Sequence, residues 1–287
     1  MSNLSQAALR GDTEAMFRLS AAFAFGFDGM PMDADDALHW LKKAAKAGHT
    51  VAAEVLKDIG RTRETSNEIG ECEGNEKIKR VQLWKDGPYW ADRNIGAENP
   101  WDSGYYFWWG DTMGYEWKND RWVASDRSNP NFSFNEGNTF TYGLSKSELR
   151  RLGWITPEGV LSSDHDAAHK HWGGGWRMPT RADFENLENK CDWQWTRMNG
   201  VEGYVVRGIG EYASKSIFFP AAGIGCEDCA PLYDDFISTG HYWLSVLDPD
   251  MGSECARSLY FSSSTRDMDY GWRYNGRSVR PVLGFTK

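Results

Sequence analysis

Two predicted helices meet at a glycine corner with the sequence Trp172-Gly173-Gly174-Gly175-Trp176-Arg177-Met178-Pro179-Thr180. Glycine reaches backbone angles that other residues avoid, and it lets neighbouring groups approach closely. Pro179 disfavours helix at the residue before it, so the first helix must end upstream. Thr180 can cap the second helix, with Asp183 three residues on in the pattern of a capping box. The stretch therefore predicts helix, tight corner and helix.

Short runs of alternating or aromatic residues surround this corner and predict strands. The predicted helices are Ser145 to Gly153, Ser163 to His171 and Thr180 to Lys190. The predicted strands are Val81 to Lys85, Tyr89 to Asn94, Gly203 to Val206, Ser216 to Pro220, His241 to Ser245, Arg257 to Ser262 and Ser278 to Leu283. Gly104 to Trp109 is a further aromatic run, and Gly110 to Asn138 reads as a long loop. A few helices among many short strands indicate an α+β domain.

The composition of the 287-residue chain changes near residue 80. Of its 15 tryptophans, only Trp40 precedes Leu83, and the first eighty residues are rich in Ala, Lys and Glu. This change predicts a helical unit over 1–60, a linker over 61–78 and a second domain over 79–287. The net charge of −9 argues against a nucleic-acid-binding surface, which would be basic.

Several classes of protein do not fit the sequence. No apolar run is long enough to span a bilayer. The first residues, Met1 to Gln6, lack the basic start and apolar centre of a signal peptide, so we expect a cytoplasmic protein with no membrane partner. An odd number of cysteines, five, does not suggest a disulfide framework.

Gly11 to Ala53 predicts two amphipathic helices, the first ended by Gly26 and the second by Gly48. His49 to Ile59 predicts a third helix. Small residues on the facing sides would let the first two pack closely. The pattern resembles a Sel1-like repeat, a relative of the tetratricopeptide repeats. The matching residues are Gly11, Ala15, Leu19, Gly26, Gly29, Asp33, Ala37, Trp40, Ala44, Ala45, Gly48 and Ala52.

This resemblance implies a protein–protein adaptor role, with a helical partner bound to the repeat. A single repeat cannot bury its apolar face alone, because such units stack on neighbours. The alternative is a helical cap for the second domain. Both alternatives predict that the unit packs on another surface.

The second domain carries a longer resemblance in spaced motifs. They are Trp90 to Ala97, Asp166 to Ala168, Trp172 to Thr180, Phe218 to Gly223, Tyr242-Trp243 and Gly276 to Val282. Together these motifs resemble the Fibrobacter succinogenes major paralogous domain, over about residues 79 to 285. That family is similar in fold to C-type lectin domains and, more remotely, to the formylglycine-generating enzyme. The resemblance implies two helices, a small antiparallel sheet and long loops on one face.

The late segment Leu244 to Asn275 has the composition of a binding surface. Tyr and Trp provide rigid contact area, while Ser, Asp and Asn provide adaptable hydrogen bonds. We expect non-catalytic recognition of a protein or other macromolecule by the late surface loops that this segment forms. The predicted contacts are Trp243, Ser245, Asp248, Ser262, Ser264, Arg266, Asp267, Asp269, Tyr270, Trp272, Tyr274 and Asn275. The composition also resembles the variable regions that diversity-generating retroelements alter. Ordinary polar loops are the alternative.

Two groups of metal-binding residue types lie elsewhere. His165 and His169 are one helical turn apart, a spacing that can bind a transition metal, but a solvated helix face explains them better. Cys226 and Cys229 form a single C-x-x-C pair, which is a weak zinc signal. The formylglycine-generating relatives use two late cysteines, whereas only Cys255 lies late in this chain. An oxidase is therefore an alternative to binding, and we predict no catalytic residue.

Acids and tryptophans alternate between residues 101 and 126. Clustered carboxylates could bind calcium, and stacked aromatic rings could bind sugars. The sugar-binding Glu-Pro-Asn and Gln-Pro-Asp signatures of calcium-dependent lectins are absent. We therefore expect aromatic core and solvated acids, with no cofactor and calcium as the alternative. The residues are Trp101, Asp102, Trp108, Trp109, Asp111, Glu116, Trp117, Asp120, Trp122 and Asp126.

Overall fold

A computed structural model describes residues 4, 7–8, 10–25, 34–57, 78–232, 236–248 and 252–284. The chain divides into two compact units, Met1–Glu73 and Gly74–Lys287. Residues 61–77 of the expected linker lie outside the described ranges. No helix in those ranges combines the length and apolarity needed to cross a bilayer.

The N-terminal unit is helical. Helix α1 spans Thr13–Phe25, helix α2 spans Ala34–Lys46, and residues 50–57 are also helical. The Asp12 carboxylate accepts a hydrogen bond from the backbone N–H of Ala15 at 3.0 Å and so caps α1. The two helices bury small and aliphatic residues against each other, as the spacing predicts. Those buried residues include Ala15, Leu19, Ala22, Leu41 and Ala44.

The C-terminal unit mixes short helices with antiparallel strands. Its helices are α3 (Lys146–Arg151), α4 (Ala167–Trp172) and α5 (Arg181–Lys190). Its strands are β1 (Arg80–Gln82), β2 (Tyr89–Ala91), β3 (Tyr115–Trp117), β4 (Trp122–Ala124), β5 (Trp176–Arg177), β6 (Cys191–Met198), β7 (Val201–Gly208), β8 (Ser216–Pro220), β9 (Gly240–Leu247), β10 (Cys255–Phe261), β11 (Arg266–Trp272) and β12 (Val282–Leu283). The described part of this unit is therefore of the α+β class.

The strands form four small sheets in the described ranges. Their orders are β1-β2-β12-β5, β11-β10-β9, β3-β4 and β6-β7-β8. Helix α5 packs its buried Phe184 and Leu187 into a core that strands of three sheets share, with Trp90, Phe219 and Phe261. A second, aromatic core lies around Tyr115, Trp122 and Phe134.

The glycine corner forms as expected, with one difference. Gly173 and Gly174 have φ values of 65° and 56°, in the region that glycine tolerates best, and they end helix α4. Trp172 and Trp176 then meet edge to face, with ring centroids 5.1 Å apart. Trp176 and Arg177 do not lead directly into helix. They form strand β5, which pairs with β12 through Leu283 and Val282.

Two buried carboxylates hold the corner in place. Asp166 accepts hydrogen bonds from the backbone N–H groups of His169 and Met178, at 3.0 and 2.8 Å. Asp183 accepts two from the Arg177 guanidinium, at 2.7 and 3.1 Å, and two from the N–H and hydroxyl of Thr180, at 2.7 and 2.6 Å. The capping box at Thr180 is therefore complete and carries a bidentate ion pair as well.

The last of the spaced motifs, Gly276 to Val282, contributes a buried arginine to the core. Arg280 is fully buried and donates to the Oδ1 of Asn94 at 2.8 Å, and to the carbonyls of Ala91 and Phe218 at 3.3 and 2.8 Å. Burial lowers the pKa of this arginine to about 10. Since both Asn94 and Arg280 lie in the spaced motifs, part of that pattern is explained by one buried hydrogen-bond network.

The helix predicted over Ser163 to His171 begins only at Ala167, and the strand predicted over Ser278 to Leu283 is limited to Val282–Leu283. Two further segments differ more from the prediction. Gly110 to Asn138 is not a continuous loop, because Tyr115 to Trp117 pairs with Trp122 to Ala124 and buries aromatic rings. Strand β6 was not expected, although Trp193 and Trp195 alternate with polar residues as in a half-buried strand. Helix α5 ends at Lys190 and strand β6 begins at the next residue, Cys191. No turn residues lie between the two elements to indicate where the strand begins.

Candidate ligand-binding site

The late segment forms a β-hairpin and not a set of loops. Strands β10 and β11 pair over seven positions, from Cys255 opposite Trp272 to Phe261 opposite Arg266. Strand β9 lies on the other side of β10, so β11 is the outer strand of this described sheet. Paired residues of antiparallel strands share one side of a sheet. Arg257 and Tyr270 are therefore neighbours on the same side as Cys255 and Trp272.

The two aromatic residues near the end of β11 are exposed. Tyr270 is 40% exposed and Trp272 is 50% exposed. Trp272 leans on Tyr274, with ring centroids 5.3 Å apart, so its ring is held at the surface. Held aromatic rings provide large contact area with little loss of side-chain entropy.

Four of the predicted contact residues are buried, so they do not form the exposed surface that the composition of the segment predicted. Trp243 and Ser245 belong to strand β9, where Trp243 donates its indole N–H to the Phe107 carbonyl at 2.7 Å. Ser245 donates its hydroxyl to the Pro179 carbonyl at 3.2 Å. Both side chains therefore join β9 to other segments of the core.

Asp248 and Tyr274 are the other two buried residues. The Asp248 carboxylate lies 2.9 Å from the Arg257 guanidinium, so the acid serves an ion pair at the end of the sheet. Tyr274 packs edge to face on Tyr142, with centroids 5.1 Å apart, and only 8% of it is exposed. Tyr274 therefore presents little surface to a ligand, whereas Asp248, although buried, belongs to the lining of a groove beside Arg257.

The remaining predicted contacts are at least partly exposed along the hairpin. Asp267, Asp269 and Asn275 are in this group. Ser262 and Ser264 lie in the turn, with their hydroxyls 3.3 Å apart. Arg266 is half-buried: its guanidinium lies 4.6 Å from the Trp193 ring centroid. The turn and the arginine therefore set the position of the hairpin, while the end of β11 carries the exposed rings.

A groove adjoins this end of the sheet and was not predicted. It has a volume of about 590 Å³, and Arg257 of strand β10 lies in its wall. The groove also gathers residues that are distant in sequence. Among them are Leu144, Lys146, Glu158, Arg181 and Val246. Its volume is within the range of small-ligand sites, and both signs of charge line it.

A polar cluster lies under the hairpin, on the side opposite Tyr270. Arg277 donates to the Ser258 hydroxyl at 2.5 Å, and its guanidinium lies 4.6 Å from the Trp243 ring centroid. The Nε2 of His241 lies 3.2 Å from the Thr239 hydroxyl, and its Nδ1 has no hydrogen-bond partner among the described residues. Burial, and then the positive charge of Arg277, hold the pKa of His241 well below its usual range.

This histidine makes the stability of the C-terminal unit depend on pH. His241 stays neutral in the folded protein, whereas the unfolded chain takes up a proton near pH 6.5. Stability is therefore complete above that pH and falls as the pH decreases. From pH 6.5 to 5.5, wild type should lose about 1 kcal/mol more than His241→Gln. Urea unfolding across this range measures the difference, and parallel curves would contradict the assignment.

Several of the described metal-binding residue types have local partners, whereas the described cysteines Cys226 and Cys229 are thiols not joined in a disulfide. His165 stacks on Trp154 with centroids 3.6 Å apart, and His171 lies against the Phe107 ring. Asp111 accepts from the backbone N–H groups of Met113 and Gly114, and burial raises its pKa to about 6. Within the described ranges, no group of three or more His, Cys, Asp or Glu side chains could hold a metal ion.

The late cysteine lies in an unreactive setting. Cys255 is buried, and burial, followed by the charges of Asp248 and Glu254, raises its pKa. A thiol with a raised pKa is a poor nucleophile, because the thiolate is the reactive form.

Comparison of the chain with protein-family models, curated proteins and solved structures gave no match. Function is therefore inferred from the fold and from the surface of the β10–β11 hairpin. The groove beside Arg257 extends this surface.

Proposed function

We propose that the C-terminal unit is a C-type-lectin-like binding domain that recognises a protein or other macromolecule without catalysis. The exposed pair Tyr270 and Trp272, on one side of an outer strand, is the observation that supports this proposal most strongly. Aromatic residues of this kind carry a large share of the energy in protein interfaces. Asp267 and Asp269 lie on the other side of the same strand and add polar contacts at its edge.

Three further observations support a binding role. The rings of Tyr270 and Trp272 are exposed, whereas most of the other tryptophans are buried or half-buried in the unit. The open edge of β11 can accept an additional strand or loop of a partner. The groove beside Arg257 adds a concave surface next to the hairpin.

An oxidase of the formylglycine-generating type is the weaker alternative. Such chemistry needs an accessible, activated thiol late in the domain. Cys255 is 2% exposed, and burial raises its pKa, which opposes formation of the thiolate. The side chain of Trp272, which lies opposite Cys255 in the hairpin, is exposed and offers contact area for binding.

Site-specific cross-linking tests the proposal. A photoreactive benzophenone amino acid at position 270 should give a discrete adduct in extracts of cells that make this protein. The same probe at position 209 is the control, because Ile209 is 60% exposed but lies outside the hairpin. The adduct at 270 should disappear with excess unlabelled wild-type chain. Equal adducts at both positions would contradict a specific surface.

A further inference from the structure

A second cavity lies on the C-terminal unit and shares no lining residue with the groove beside the hairpin. Its volume is about 370 Å³. One wall is the outer strand β1, and the other is the turn between β7 and β8. The residues that matter for its chemistry are Lys79, Arg80, Tyr212, Ser214, Lys215 and Ser216.

Backbone hydrogen bonds fix the shape of the wall between β7 and β8. Residues 212 to 215 form a turn in which the N–H of Lys215 donates to the Tyr212 carbonyl at 2.8 Å, and the N–H of Gly208 donates to the Lys215 carbonyl at 3.0 Å. A Cβ at Gly208 would lie 2.5 Å from the Tyr212 Cβ and 2.4 Å from the Leu83 carbonyl oxygen. Glycine at 208 is therefore what lets the turn approach the β1 segment closely.

The lining has one sign of charge. Lys79, Arg80 and Lys215 bring three cations, and no carboxylate belongs to the lining. None of the three takes part in an ion pair within the described ranges. The whole chain has a net charge of −9, so a positively charged cavity is opposite in sign to the protein as a whole. Unpaired cations that share one concave site attract an anion.

We propose that this cavity binds the phosphate group of a small phosphate monoester. Such a group carries nearly two negative charges and several acceptor oxygens. The Arg80 guanidinium can donate two parallel hydrogen bonds to it, while the two lysines act as point charges. The hydroxyls of Ser214 and Ser216 are further donors in the lining. The rings of Tyr89 and Tyr212 leave an aromatic wall for the organic part of the ester.

Binding of inorganic phosphate to the full chain tests this site. We expect saturable binding by ³¹P nuclear magnetic resonance titration at constant ionic strength. Arg80→Gln combined with Lys215→Gln should weaken it at least about tenfold, because two charge-assisted hydrogen-bond donors are lost. The matched control is Lys118→Gln combined with Arg121→Gln. It removes the same charge from exposed residues outside the cavity and should change the affinity less than about twofold.

Three outcomes would overturn the proposal. One is equal weakening in the control, which would mean general attraction by charge. Another is sulfate or chloride binding as tightly as phosphate. The third concerns the acidic segment before β1, whose glutamates are replaced by glutamine. Phosphate affinity should stay unchanged in this variant. A tenfold gain in affinity would instead identify that segment as the occupant of the cavity. Those residues are Glu64, Glu68, Glu71, Glu73 and Glu76. This test uses neither the β10–β11 hairpin nor the cross-linked adduct at position 270, so its outcome is independent of the proposed function.

Discussion

Asp183→Ala is expected to lower the free energy of unfolding of the C-terminal unit by about 3–5 kcal/mol. The carboxylate is 3% exposed and accepts four hydrogen bonds, two from Arg177 and two from Thr180. Its loss removes two charge-assisted hydrogen bonds from the guanidinium of Arg177, itself 14% exposed, and it removes the cap of helix α5. Both effects act on the corner that joins α5 to strand β5.

Glu185→Ala is the matched control for this substitution. Glu185 lies on the same helix and also pairs with an arginine, Arg181, at 2.6 Å, but its side chain is 45% exposed. A solvent-exposed pair of this kind contributes about 0–1 kcal/mol. Urea unfolding followed by tryptophan fluorescence measures both variants. Equal losses in the two variants would show that Asp183 has no special structural role.

Trp243→Ala is expected to cost about 3–5 kcal/mol of unfolding free energy. The indole is fully buried, donates to the Phe107 carbonyl at 2.7 Å, and packs under the Arg277 guanidinium. Removing it opens a large cavity beside strand β9 and leaves the Phe107 carbonyl with only the backbone N–H of Arg277 as donor, at 2.9 Å. The substitution should therefore also weaken the pairing of β9 with β10.

Trp272→Ala is the comparison, on the same sheet. Its side chain is half exposed, so we expect a loss of about 1 kcal/mol or less. Circular dichroism during urea unfolding separates the two variants. A large loss for Trp272→Ala would place this residue in the core and remove it from the proposed contact surface.

The elements around the glycine corner could be predicted because their signals are local. Thr180 and Asp183 form a capping box that is complete within four residues, and Gly173 has the positive φ that ends helix α4. Strand β8, Ser216–Pro220, has its predicted limits because a charged residue precedes it and a proline ends its hydrogen bonding. Such features depend little on the rest of the chain.

The burial of the late segment could not be predicted in the same way. Polar composition indicated surface for Ser245 and Asp248, but each is held by a partner in another segment, Pro179 and Arg257 respectively. Such partners appear only when the chain is folded. Likewise, Trp243 and Trp272 are tryptophans of one sheet, but the ring of Trp243 is buried and that of Trp272 is exposed. The order of the strands distinguishes them, because Trp272 lies on the outer strand β11.

Neither cavity carries a sequence signal. The groove beside the hairpin combines residues from 144 to 159, from helix α5 and from the end of β9, which are separated by up to a hundred positions. The cationic cavity combines Arg80 with Lys215, which are still farther apart in the sequence. Single lysines and arginines are common on protein surfaces, so their convergence is a property of the fold.

Competition for the adduct at position 270 tests the central claim most directly. Excess unlabelled wild-type chain should abolish the adduct. The variant that combines Tyr270→Ala with Trp272→Ala should fold and yet leave the adduct unchanged, because its contact rings are missing. A folded double variant that competes as well as wild type would contradict recognition by the hairpin.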